Sequence, residues 1–322
     1  MIYLGYLVSV AIVIILAVNA ARYANMLDRN SKLAGAFIGA VILAVVTSMP
    51  EFFTSISAVT VFNMPDFPAG NILGSNIFNL VIVSAAILIY RKKFSKAKIS
   101  GIYIRVGVIL LVMYALVASV FGDIITLKIG HASVMSPIII VVYLIVIAYI
   151  AHAHDDVADE SALKYIASIE CPLEAKQAMT RLVITGLLLI LASAAMTYTA
   201  GLITIEWGIE GGFAGAIFLG IATSVPELAS LITLFRVKNY DIAIGSMVGS
   251  NVFNFSILAL ADIICRENMY LVGQAKTPVM VITGIITTAI FLFMLMERKH
   301  SKKIEVVCPV LILVCYAAFF FI

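Results

Sequence analysis

Two pentapeptides in this chain gather oxygen atoms of three kinds. Thr47-Ser48-Met49-Pro50-Glu51 is matched by Thr223-Ser224-Val225-Pro226-Glu227. Each supplies two hydroxyls and a carboxylate around a proline. Proline lacks an N–H, so within a helix the carbonyl one turn earlier loses its donor. Those carbonyls belong to Val46 and Ala222. Carboxylate, hydroxyl and carbonyl oxygens together are what a hard cation binds. A second pair of motifs adds to them: Gly70 to Asn79 reads GNILGSNIFN, and Gly245 to Asn254 reads GSMVGSNVFN. Ser75 and Asn79 are one helical turn apart and share a face, as do Ser250 and Asn254. The glycine pairs Gly70/Gly74 and Gly245/Gly249 suit close helix packing. Asn76 and Asn251 lie about 100° away from the serine faces. They read as weaker ligand candidates or as interhelical hydrogen-bonders.

The composition says what must position these residues. Of 322 residues, 63% are hydrophobic and 12% charged, about half the charged share of a soluble domain. That excludes an ordinary soluble enzyme, a disordered chain and, with a net charge of +3, a nucleic-acid binder. Cys171, Cys265, Cys308 and Cys315 show no C-x-x-C spacing and read as isolated thiols. A helix needs about 20 apolar residues to cross a bilayer. The charges divide the chain into spans of that order near 2–21, 33–61, 68–90, 103–121, 134–151, 182–204, 211–235, 242–264, 277–296 and 304–322. The expectation is an all-α polytopic membrane protein with ten transmembrane helices. The first span is no typical signal peptide, because Arg22 comes after its apolar run and no basic residue precedes it.

The charges also give the orientation. The connections after the odd-numbered spans hold 18 of the 21 Lys and Arg; the other side has Lys128, Arg266 and Lys276. The positive-inside rule then places both termini outside the cytosol. The motifs recur at offsets of 176 residues (Glu51 to Glu227) and 175 residues (Gly70 to Gly245). Two five-helix halves result, 1–151 and 182–322, joined by a cytosolic polar linker, 152–181. Five is odd, so the second half enters from the opposite side, as in many secondary transporters with a midplane site on interrupted helices. Glu51 and Glu227 are the acids deep within predicted spans. An acid there costs at least about 2.5–3.5 kcal/mol and marks a functional site by default.

With both motif pairs in order, the sequence resembles the sodium/calcium exchanger family of the wider calcium/cation antiporter superfamily, in its prokaryotic, membrane-only form. The resemblance implies a ten-helix antiporter of Ca2+ and Na+ in a prokaryotic plasma membrane, without cofactors and able to work as a monomer. It implies Glu51 and Glu227 as central carboxylates, with Thr47, Ser48, Thr223 and Ser224 as hydroxyl or carbonyl donors. Ser75, Asn79, Ser250 and Asn254 complete the ring, and Ala44 and Gly220 contribute backbone carbonyls. It also implies that the first and sixth helices slide as a gating pair. Many relatives carry one Asp where this chain has Asn79 and Asn254. The site therefore holds at most two formal negative charges, which balance one divalent ion.

Other readings stay open at this point. A H+-coupled Ca2+ antiporter is one, since buried glutamates can titrate. Another divalent cation is a second, with Mg2+ disfavoured by its reluctance to shed water. An intramembrane hydrolase finds no H-E-x-x-H or nucleophile–base pair. A channel would not need the inverted repeat. The linker holds six acids, His152 and His154 but lacks an EF-hand loop, so a solvated amphipathic segment is expected. Arg91 to Lys98 reads as an inside-positive loop, and Trp207 as a marker of the outer interface.

Overall fold

A computed structural model of the chain describes residues 2–31, 33–152, 173–207, 220–266, 269 and 277–319. Most of the linker, with His154 and Cys171, lies outside the described residues, as do residues 208–219 and Lys276.

Pro50 dictates the first structural event that matters. The expected span 33–61 is broken into α2 (Gly35–Thr47) and α3 (Met49–Thr60), bent by 43°. The break falls at Ser48, whose φ of −87° and ψ of 9° leave the helix. Pro50 then sits in the first turn of α3, where a missing N–H costs nothing. α2 also contains a π-helical stretch, Ile38–Leu43, which the sequence did not announce. Such a stretch inserts a residue into the helix and turns the next residues to a new direction.

The remaining elements are regular. α1 (Ile2–Asn30) precedes the broken span, and α4 (Phe67–Ile89) and α5 (Ile102–Phe121) come after it. A small hairpin, β1 (Lys128–Ile129) with β2 (Ala132–Ser133), leads into α6 (Met135–His152). Then come α7 (Ala175–Glu206), α8 (Val225–Arg236), α9 (Tyr240–Ile264), α10 (Thr277–Glu297) and α11 (Ile304–Phe319). Seven of these helices are long and apolar enough to cross a membrane, and α2–α3 make an eighth, broken span. The chain is thus an all-α polytopic membrane protein. Of the expected span 211–235, residues 220–224 and α8 are described. α1 and α7 overrun their expected ends at 21 and 182. Charge ends the apolar run there, but a helix satisfies its own backbone and continues past the hydrocarbon.

The helices sort by burial. The apolar windows of α4 and α9 are 67% and 78% buried, those of α1 and α7 28% and 33%. α4 and α9 are therefore the centre, and α1 packs along α7 and α8 at the lipid-facing side. Carboxylates anchor both ends of α9. Asp241 accepts bonds from the Ser100 N–H (2.7 Å) and the Tyr103 hydroxyl (3.0 Å), fixing the start of α5. Asp262 accepts from the Ser133 N–H (2.8 Å) and the Ser136 hydroxyl (2.6 Å), fixing the start of α6. Arg298 stacks on Phe94 and pairs with buried Glu305 at 3.2 Å, joining α11 to the 91–94 turn. Trp207 Nε1 donates to the Tyr3 hydroxyl at 3.1 Å, tying the end of α7 to the start of α1.

α9 meets the π-helical stretch backbone to backbone. A Cβ on Gly39 would stand 2.8 Å from the Ile242 carbonyl oxygen, and one on Gly249 would collide with the Ala40 carbonyl. The second contact has no flexible atom to yield. Gly249→Ala should therefore destabilise the protein by about 1–3 kcal/mol, the usual cost of overpacking. Gly201, with open space at its Cβ position, is the control. A thermal melt of the detergent-purified protein should show a lowered midpoint for Gly249→Ala and none for Gly201→Ala.

Candidate cation site

The two broken helices bring their carboxylates to equivalent places. Glu51 is the third residue of α3 and Glu227 the third of α8, each preceded by a serine outside helical geometry and a proline in the first turn. The positive end of a helix dipole favours a carboxylate at that position. Both side chains are buried, at 1% and 0% exposure.

Their donors come from the opposite motif. Ser224 donates to Glu51 Oε1 at 3.0 Å, and Ser48 donates to Glu227 Oε1 at 3.0 Å. Ser75 on α4 adds a longer bond to Glu51 Oε1 (3.4 Å) and one to the Gly220 carbonyl (3.2 Å). Ser250 on α9 reaches the Ala44 carbonyl at 3.5 Å. Thr223 donates to the Gly220 carbonyl (3.0 Å), and Thr47 to the Leu43 and Ala44 carbonyls (3.1 and 3.3 Å). The carbonyls that the site serines reach are thus Ala44 and Gly220. Val46 and Ala222, singled out by the proline rule, stand on the stretches just before the breaks.

The remaining two positions, Asn79 and Asn254, are buried beside this group, one turn beyond Ser75 and Ser250. Each bonds through its amide nitrogen to the asparagine of the facing motif: Asn79 to Asn251 Oδ1 at 3.0 Å, Asn254 to Asn76 Oδ1 at 2.9 Å. Among the twelve candidate residues, four buried acceptor oxygens have no hydrogen-bond partner: Glu51 Oε2, Glu227 Oε2, Asn79 Oδ1 and Asn254 Oδ1. Among the described residues, no Lys, Arg or His forms an ion pair with either glutamate. No cluster of three or more His, Cys, Asp or Glu occurs among them either. All twelve candidate residues are buried, but Asn79 and Asn254 bond to Asn251 and Asn76 and to neither glutamate.

Sequence reasoning missed Asn71. Its amide donates to Ser55 Oγ (3.0 Å) and the Glu51 carbonyl (3.5 Å), and its Oδ1 accepts from Thr223 (3.4 Å). A polar residue beside Gly70 at membrane depth was the available signal. Ser246 stands at the matching place in the second motif, so the repeat did not flag Asn71. Asn76 and Asn251 emerge as interhelical hydrogen-bonders.

Comparison with known proteins places this geometry. The chain is 28% identical over 243 residues, 75% of its length and 74% of the relative's, to the provisionally named antiporter CaxA of Alkalimonas amylolytica. It is 26% identical over 240 residues to the inner membrane protein YrbG of Escherichia coli K12, covering 73% of this chain and 71% of that one. Structures of the sodium-calcium exchanger NCX_Mj share its fold. One soaked with 2.5 mM Na+ and 10 mM Sr2+ superposes with a TM-score of 0.71 at 20% identity, over 99% of this chain and 98% of that one. One soaked with 10 mM Na+ and no Ca2+ gives 0.69 at 18%, over 98% and 99%. The family model for sodium/calcium exchanger proteins matches residues 1–152 and 178–322. The chain belongs to the sodium/calcium exchanger protein family and is a cation antiporter of the membrane, not an enzyme.

Proposed function

We propose that the protein exchanges Ca2+ for Na+ across a bacterial-type plasma membrane, through one site built by the two broken helices. One observation carries this reading. Two carboxylates are buried with hydroxyl donors on one oxygen each, and among the described residues no Lys, Arg or His pairs with them. A buried charge must be paired or neutralised, so the countercharge comes from solution. Hydroxyl, amide and carbonyl oxygens around two carboxylates suit Ca2+ at the centre and Na+ at the flanks. In this reading Glu51 and Glu227 bind Ca2+, assisted by Thr47, Ser48, Ser75, Asn79, Thr223, Ser224, Ser250, Asn254 and the Ala44 and Gly220 carbonyls. Both termini face away from the cytosol, and α1 and α7 slide over the central bundle, as one chain, to open the site to either side. The names of the relatives agree: one is called an antiporter and another a sodium-calcium exchanger.

A second reading is H+-driven Ca2+ exchange. It is favoured by Asn at both 79 and 254, which leaves two charges that two protons could neutralise as well as Na+ could.

Purified protein in liposomes, with the membrane potential clamped, separates the two. An outward Na+ gradient at fixed pH should drive radioactive Ca2+ uptake. A pH gradient without Na+ should not, and the opposite pattern would move the protein to proton coupling. Glu51→Gln and Glu227→Gln should each cut Na+-driven uptake to the level of empty vesicles. Retained uptake in either variant would remove that glutamate from the site.

A further inference from the structure

Asn76 and Asn251 make no bond to either carboxylate, yet they sit between the two central helices in a closed pattern. The Asn251 amide nitrogen donates to the Asn76 backbone carbonyl (3.0 Å), and the Asn76 amide nitrogen donates to the Asn251 carbonyl (3.3 Å). A backbone carbonyl can only accept. Each of these side chains must therefore turn its NH2 toward the facing backbone and its Oδ1 the other way. The Oδ1 of Asn251 then accepts from Asn79, and that of Asn76 from Asn254. An amide that donates on one side presents its oxygen on the other. The polarity of the whole chain of bonds is thus set by two backbone carbonyls that cannot be reversed.

We propose that Asn76 and Asn251 are positioning residues that lock Asn79 and Asn254 as acceptors in the cation site. This rests on the cation-site reading above and goes beyond it, because it assigns a function to residues outside the ligand ring. An unrestrained Asn could rotate by half a turn and aim its NH2 at Glu51 or Glu227. That would put two donors against the carboxylates and partial positive charge where the cation binds. The crossed relay forbids it. The candidate-site oxygens left without a partner are then one on each glutamate and one on each of Asn79 and Asn254.

Asn79→Asp removes the need for the relay, because both ends of a carboxylate accept. This gives a double-mutant cycle with a sign that a packing role does not share. Ca2+ binding to the detergent-purified, full-length protein is read by titration calorimetry with CaCl2. Asn251→Ala should weaken binding by about 10–100-fold, as loss of an outer partner of a ligand usually does. In the Asn79→Asp background the same change should cost little or improve binding, since the Asn251 Oδ1 faces position 79 and repels a carboxylate. The mirrored cycle, Asn76→Ala with Asn254→Asp, should behave alike and serves if the first alanine variant does not fold. Equal losses in both backgrounds would overturn the proposal, as would failure of both alanine variants to fold, because Asn76 and Asn251 would then be packing elements. Glu227→Gln in the same assay keeps the two readings apart. If it binds Ca2+ like the parent, the cation site itself is wrong; if it loses binding while the cycles are additive, the relay alone is wrong.

Discussion

Two carboxylates are buried at the heart of an apolar helical bundle, and each takes its shortest hydroxyl bond from the opposite motif. Ser48 serves Glu227 and Ser224 serves Glu51. A buried acceptor without a partner costs about 1–3 kcal/mol, and more when charged. Either broken helix alone would leave its buried glutamate without that hydroxyl donor. The reciprocal bonds therefore make the two motifs mutually dependent, and the rest of the architecture brings them within reach. α4 and α9 supply the next layer, with Ser75 bridging Glu51 to the Gly220 carbonyl and Ser250 reaching toward Ala44.

Bringing broken helices that close requires two kinds of packing. On the inside, backbone meets backbone: Gly249 and Gly39 have no room for a methyl group, and the π-helical stretch sets the angle at which α2 delivers Ser48. Asp241, Asp262 and the Arg298–Glu305 pair fasten the ends of the central helices to their neighbours. On the outside, α1 and α7 hold to the bundle with much less of their surface. In the proposed sliding motion α1 and α7 move together, and the packing of α1 along α8 is what that motion must remake.

The parts of this arrangement that were legible in the sequence are those set by composition and periodicity. Apolar length located eight of the ten expected spans among the described residues, and proline flanked by hydroxyls and a carboxylate located the breaks and the two glutamates. The duplication made each motif a check on the other. Three features were not legible. The π-helical stretch has no sequence signature, because its extra residue is fixed by packing against α9. Asn71 breaks the repeat, so the comparison of halves that revealed its neighbours concealed it. The overruns of α1 and α7 reflect a backbone that stays helical beyond the hydrocarbon, which hydropathy does not measure.

The relay of asparagines gives the charge balance of the proposed cycle a structural basis. With Asn at 79 and 254, the site contributes two negative charges at most, and one Ca2+ neutralises them. Emptied, it leaves two carboxylates facing each other with one hydroxyl-bonded oxygen each. Like charges brought together away from bulk water repel strongly. Moving that unneutralised pair through a closed, dry intermediate adds its desolvation cost. Neutral amide oxygens relieve none of this, since they stabilise a cation but cannot replace one. In the proposed cycle, the buried pair itself discourages the empty carrier from reorienting. In that cycle, exchange without leak follows from two buried carboxylates beside which no protein cation stands among the described residues.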